Sequence, residues 1–307
     1  MVSPTAKTLG LFAVVVALFV LVGGLVGEYL LGSWLAGLIV ALGLSLVLNV
    51  VAYVASDRIV LWSTKARIVS AAEAPRLARI VEELAPTFHL VAPRIAIVPS
   101  PTPNAFATGR NERHAIVAAT EGILRALDDR ELRGVLAHEL AHVRDRDVLV
   151  MTIAATLAGA ISFAAQGVLF STMLGVRGRG VNPLVLLVAA ITAPIAALLL
   201  LLAISRAREY RADEVGARTI GDPASLASAL AKLEAANVRR PVGVGSPAQA
   251  SLYIVNPLRG GSLARLFSTH PPTAERIRRL RAMGPSFAYR PKVGAPQVGA
   301  SVRASRS

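Results

Sequence analysis

Four long apolar runs constrain this chain more than any other feature. They are Leu9–Val26, Trp34–Val54, Val148–Leu174 and Val181–Ile204, and none contains a charged side chain. A helix needs about 20 apolar residues to cross a hydrocarbon core, and each run approaches or exceeds that length. Backbone polar groups in lipid must be satisfied within the segment, so each run is expected to be helical. Lys7 is the only positive charge before the first run, and a second apolar run follows almost at once. That pattern reads as a retained helical hairpin, not a cleaved leader. The third run is rich in Ala, Gly and Ser and makes the weakest span. Composition agrees with a membrane protein: 54% of the 307 residues are hydrophobic and 17% charged, where a soluble domain has about a quarter charged.

The net charge of +14 is unevenly placed. Lys and Arg concentrate in residues 58–147 and 206–306, while the turn at 27–33 has neither; the turn at 175–180 carries Arg177 and Arg179. By the positive-inside rule, both charged stretches and both termini are expected on the cytoplasmic face of the plasma membrane. There the basic residues meet anionic headgroups of the bilayer. No nucleic-acid-binding motif accompanies them, so no nucleic-acid partner is expected. The near absence of ionisable residues within the runs argues against a transporter. With no cysteine in the chain, any zinc site must draw on His, Asp or Glu.

The runs divide the chain into a membrane hairpin (1–57), a first soluble part (58–147), a second hairpin (148–204) and a second soluble part (205–284). A tail follows (285–307), without periodicity and expected to be disordered. Ser70–Pro86 reads as an amphipathic helix, with Ser70 and Glu73 at capping-box spacing. Short strands are expected at Arg94–Val98, Asn104–Gly109 and Ala115–Thr120. Asp128 or Asp129 caps a helix whose apolar face includes Leu132, Val135, Leu136 and Val143, and which runs on into the third apolar run. Further helices are expected at Ser205–Thr219 and Pro223–Asn237, then a Gly/Pro-rich loop and a basic helix before Met283.

The capped helix carries His138-Glu-Leu-Ala-His142. Four-residue spacing puts both imidazoles on one helix face, close enough to share one ion. Zinc prefers such nitrogen donors. Glu139 lies about 100° further round, placed to take a proton from a water that the metal polarises without binding the metal itself. With only five histidines in the chain, two surface histidines falling at this spacing by accident is the weaker reading. A catalytic zinc keeps three protein ligands and an open position. His89, His114 and His270 lack the spacing of a three-histidine motif. Glu209, in Arg-Glu-Tyr-Arg-Ala-Asp213 just beyond the fourth run, is the better candidate, with Asp213 one turn on as a supporting partner. Spacing alone does not separate Glu209 from Glu214 or Asp213.

Taken together, His-Glu-Leu-Ala-His, the apolar hairpin after it and Arg-Glu-Tyr-Arg-Ala-Asp resemble the HtpX-type membrane metalloproteases. These are relatives of the type I CaaX prenyl proteases and the mitochondrial Oma proteases. The resemblance extends over most of residues 1–284, including Asn104–Gly109, Tyr253–Leu258 and Leu266–Pro272 with Arg276. It implies a mainly α membrane protein with a cytoplasmic, gluzincin-like α+β metalloprotease domain bearing a small β-sheet. It makes Glu209 the third ligand of one Zn²⁺ per chain, with Asp213 orienting the site and Arg276 pairing with Asp213. It has His270 face the cleft and stabilise an oxyanion; the residues alone read it as a loop histidine held by Pro271 and Pro272. It makes Asn104, Ala105, Phe106, Ala107 and Thr108 a strand edge that takes an extended peptide, although Phe106 also reads as core. The implied activity is a zinc-dependent endopeptidase acting on misfolded or damaged membrane proteins, a quality-control and stress-response role. The alternative is a membrane-bound regulatory or binding protein whose metal is structural, with a fourth ligand such as His270.

Overall fold

A computed structural model describes residues 4–173, 183–239, 254 and 271–284. The described residues of all four apolar runs form helices long and apolar enough to cross a membrane. The first two form a hairpin of α1 (Pro4–Leu31) and α2 (Trp34–Thr64). Ser33 starts α2, its Oγ accepting from Ala36 N at 3.3 Å. The pair packs closely at Gly27 and Gly37, where a Cβ on Gly27 would stand 2.4 Å from the Gly37 Cα. The third and fourth runs form α6 (Asp147–Met173) and α7 (Pro183–Ile220). The Ala-rich character of the third run reflects its position. Its most apolar window is 39% buried against 11% for α2, and Ala154, Ala158, Ala160, Ala164 and Ala165 lie in the contact with α1, α2 and α7. Small residues let helices approach where lipid offers no competing hydrophobic force. Large exposed side chains such as Leu46, Val47, Leu48, Val50 and Val51 cover the outside of α2.

The soluble part is built on a mixed sheet in the order β1-β2-β4-β3: β1 (Arg67–Val69), β2 (Arg94–Val98), β3 (Ala105–Thr108) and β4 (Ile116–Thr120). β2 and β4 are parallel; the outer pairs are antiparallel. Every residue of β4 is buried, as suits a strand covered on both faces. One face carries α3 (Pro75–Leu84) and α5 (Asp129–Arg144), packing Leu77, Ile80, Leu84 and Phe88 against Leu132, Leu136 and Leu140. The other face buries Ala96, Val98, Phe106, Ile116 and Ala118 against Val60, Leu61 and Ala66, where α2 emerges from its apolar run. The short helix α4 (Glu121–Ala126) leads into α5. α8 (Pro223–Arg239) packs on α5, and α9 (Thr273–Ala282) packs on α8 and α7. The two soluble parts of the sequence thus form one body.

The structure corrects three expectations. The helix expected from Ser70 begins at Pro75; Ser70 and Glu73 make the hydrogen bond of a capping box inside a turn, Glu73 Oε2 accepting from Ser70 N at 2.8 Å. The helix expected at Ser205–Thr219 is not separate, because α7 continues unbroken from the fourth run to Ile220. The helix that carries His138 and His142 does not run into the third run. It stops at Arg144, and Arg146 takes a left-handed φ of +53 that turns the chain before Asp147. The expected tail, the Gly/Pro-rich loop and His270 lie outside the described residues.

Candidate metal centre

The site is assembled on α5. Asp128 caps it with a full capping box: its Oδ1 accepts from Glu131 N at 2.8 Å, and Glu131 Oε2 accepts from Asp128 N at 3.2 Å. Leu132, Leu136 and Leu140 fix one face in the core, so the next face must carry His138 and His142 toward α7. α7 lies close because residue 216 is glycine: a Cβ there would meet Ala137 C and His138 N at 3.0 Å. About two turns back from Gly216, α7 presents Glu209 to both imidazoles.

The donor atoms converge. The Nε2 atoms of His138 and His142 are 3.2 Å apart, and the rings meet edge to face. Glu209 Oε2 lies 3.6 Å from His138 Nε2, and its Oε1 3.5 Å from His142 Nε2. Both Nδ1 atoms are already engaged: His138 Nδ1 is 3.0 Å from Asp213 Oδ1, and His142 Nδ1 2.6 Å from Asp147 Oδ2. Such contacts hold a proton on Nδ1 and make each Nε2 the atom that a metal would bind. Two imidazole nitrogens and a carboxylate aimed at one point are held together by a cation between them, a proton on His138 or a metal ion. The three residues therefore fit a divalent metal, and among the described residues they form the group able to hold one. Glu214, left open by spacing, instead pairs with Arg218 at 3.0 Å on the exposed side of α7. His114 bonds Asn111 at 2.7 Å, and His89 caps a 3₁₀ turn after α3.

A buried shell holds these groups. Arg276 of α9 is 1% exposed. Its Nε and Nη2 donate to Asp213 at 2.8 and 2.7 Å, and its Nη1 donates to the Ile254 carbonyl at 2.9 Å. Arg279 stacks over Tyr210, 3.7 Å from the ring centroid, and pins α9 to the same stretch of α7. Asp147 is in turn bonded by the buried Arg208, and Asp145 by Arg211. The sequence reading missed Asp147 and Arg208. On an unbroken helix Asp147 would stand about 140° round from His142; the left-handed Arg146 brings it back.

Electrostatics follow from this packing. Burial and the Arg276 charge disfavour protonation of His138, yet Asp213 and Glu209 outweigh them and raise its pKa to about 10 in the metal-free protein. Burial also raises Glu139, against the lowering pull of the His138 and His142 charges. Glu139 Oε2 accepts from Ala107 N at 2.8 Å. That amide points away from β4, so the outer edge of β3 faces the site. Of the expected strand-edge residues, Ala105, Phe106 and Ala107 border the cavity. Phe106 also packs in the core on the sheet's far face. Asn104 and Thr108 are buried, and the Asn104 side chain is taken by Ile254 N at 3.0 Å.

Comparisons with known proteins agree with this geometry. The profile of "Peptidase family M48" matches residues 71–284. A protein named "Protease HtpX homolog" from Syntrophobacter fumaroxidans is 51% identical over 284 residues, covering 90% of this chain and 98% of its own. One of the same name from Pyrococcus furiosus is 52% identical over 265 residues, covering 85% and 91%. Among solved structures, the crystal structure of S. mikatae Ste24p shares the fold, with a TM-score of 0.53 at 20% identity over 90% of this chain; the chain spans 64% of that protein. With four apolar helices besides, this is a multi-pass membrane protein. The profile match and the close relatives together show that the chain belongs to peptidase family M48 and is a metalloprotease.

Proposed function

We propose that the metal is zinc, held by His138, His142 and Glu209, and that the protein is an endopeptidase of misfolded or damaged membrane proteins. In this reading the gluzincin-like domain and both termini lie on the cytoplasmic face of the plasma membrane. The convergence of two imidazole Nε2 atoms and one carboxylate beside the buried Glu139 carries the reading. Among the described residues three protein donors converge, which leaves the open position that a catalytic zinc needs and favours an enzyme over a structural metal site. Bound there, zinc lowers the pKa of water to about 7 and polarises a carbonyl. Glu139 takes one proton from the attacking water and returns it to the departing amine nitrogen as the C–N bond breaks. Its raised pKa suits it to both halves of that exchange. Asp213 and Arg276 hold His138, and Asp147 holds His142. An extended peptide lies along the outer edge of β3 at Ala105–Ala107. His270, outside the described residues, is assigned to the oxyanion by the family resemblance.

The test is Glu139→Gln, with cleavage of a membrane-protein substrate and bound zinc measured on the same preparation. Zinc is expected to stay at the wild-type level while cleavage falls about 10²–10⁴-fold. Undiminished cleavage overturns the assignment of the base; zinc retained by a His138→Ala, His142→Ala double variant overturns the ligand set.

A further inference from the structure

The cavity at the metal centre, about 500 Å³ in volume, reaches far beyond the metal ligands. Its shallow end is bounded by Ala107, Glu139, His142 and Glu209; its deep end by Asn49 and Ala52 of α2, Thr152 and Ala155 of α6, and Leu201 of α7. All five deep residues lie inside uncharged apolar runs. Ala155 stands eight residues along α6 from Asp147, and Leu201 eight residues before Glu209, about 12 Å of helix in each case. That depth takes three or four residues of extended chain at about 3.3 Å each. α2 and α7 both pack against α1 and α6, so the deep end is walled by membrane helices.

The chemistry of the wall changes with depth. The bordering charged and imidazole groups His138, Glu139, His142, Asp147, Arg208 and Glu209 all sit at the shallow end. Deeper polar groups are neutral. Asn49 donates to Ser45 O at 2.9 Å, and Thr152 Oγ1 to Val148 O at 2.7 Å. An amide side chain within an apolar run is costly and marks a functional position. An extended chain at this depth has unpaired backbone groups that need such partners. Ala52 and Ala155 leave room for small side chains, and none of the described residues at the deep end compensates a charge.

We propose that the deep end receives the membrane-side flank of the substrate: an unwound end of a transmembrane helix drawn sideways from the bilayer, placing the cleaved bond a few residues beyond the span. The proposal rests on the peptidase reading above and specifies its substrate as a juxtamembrane segment with a small, uncharged flank.

The test uses the full-length zinc-loaded enzyme in phospholipid vesicles with a single-span reporter carrying a uniform Ala/Ser linker, its cleaved bonds mapped by mass spectrometry. Wild-type cuts are expected within about four residues of the span's end. Lysine placed in that flank is expected to lower the rate at least about tenfold. Ala52→Phe and Ala155→Phe are each expected to shift cuts outward by about two residues at unchanged zinc content. Cuts spread through the linker regardless of distance from the span, or a lysine series cleaved at the uncharged rate, overturn the proposal. The wild-type map and lysine series need no altered enzyme, so they decide it even where a phenylalanine disturbs folding. A wild-type enzyme as inert as Glu139→Gln on every reporter overturns the peptidase reading and this proposal with it.

Discussion

At the scale of single residues, the site is a set of Nε2 atoms oriented by the carboxylates behind them. Asp147→Asn removes the charge that orients His142 and is expected to weaken zinc affinity by about 10–100-fold, measured by competition with a chelator. His138 adds a pH dependence whose sign is fixed by its raised pKa. The protonated ring stabilises the metal-free fold fully below 6.5, and that contribution is lost as pH rises through about 10. A metal bound at Nε2 must displace this proton. Loading at pH 7 is therefore expected to release about one proton from His138, with apparent affinity rising toward pH 10, as calorimetry in buffers of different ionisation enthalpy can read. His138, Glu139 and His142 were legible in the sequence because helical period alone puts them on adjoining faces. Spacing left Glu209 and Glu214 open and only the family resemblance chose between them; the packing of α7 turns Glu209 inward and leaves Glu214 with Arg218. Asp147 was illegible because a single left-handed residue, Arg146, decides where its carboxylate points.

At the scale of elements, two glycines set how α5 is clasped. Gly216 brings α7 onto the backbone of Ala137 and His138; Gly134 brings in α8, where a Cβ would stand 2.6 Å from Ser225 Oγ and 2.7 Å from Leu226 N. The two contacts predict different defects. Gly134→Ala must push α8 outward and is expected to cost about 1–3 kcal/mol of stability. Gly216→Val separates Glu209 from the imidazoles, and is expected to lower zinc affinity as well. Thermal unfolding with parallel zinc titration distinguishes them. The same scale shows where sequence patterns misled. β1 has three residues and exists only through its pairing with β2. The Ser70–Glu73 spacing was read as a helix start because a capping bond looks alike in a turn; Pro75 marks the true first turn.

At the scale of the whole molecule, the four apolar runs announced the membrane helices by length and charge alone. Their assembly with the soluble parts was not legible, because it depends on contacts between residues far apart in the chain. α2 does more than cross a membrane: its last turns cover the sheet with Val60 and Leu61, followed by Ala66. A chain lacking residues 1–66 is thus expected to expose Ile116 and Ala118 and to aggregate, in contrast to the full chain in detergent, as size-exclusion chromatography would show.

One consequence follows from α7 being a single helix of 38 residues. Pro194 lacks the backbone donor of an ordinary helical residue, so any bend is easiest there; beyond it the helix runs to Ile220 as one rod. A span longer or shorter than the local hydrocarbon thickness adjusts by tilting. Glu209 rides on that rod, while His138 and His142 sit on a helix outside the lipid. Bilayer thickness is therefore expected to act as a lever on the spacing of the ligands, read as a difference in metal affinity between vesicles of short-chain and long-chain lipid.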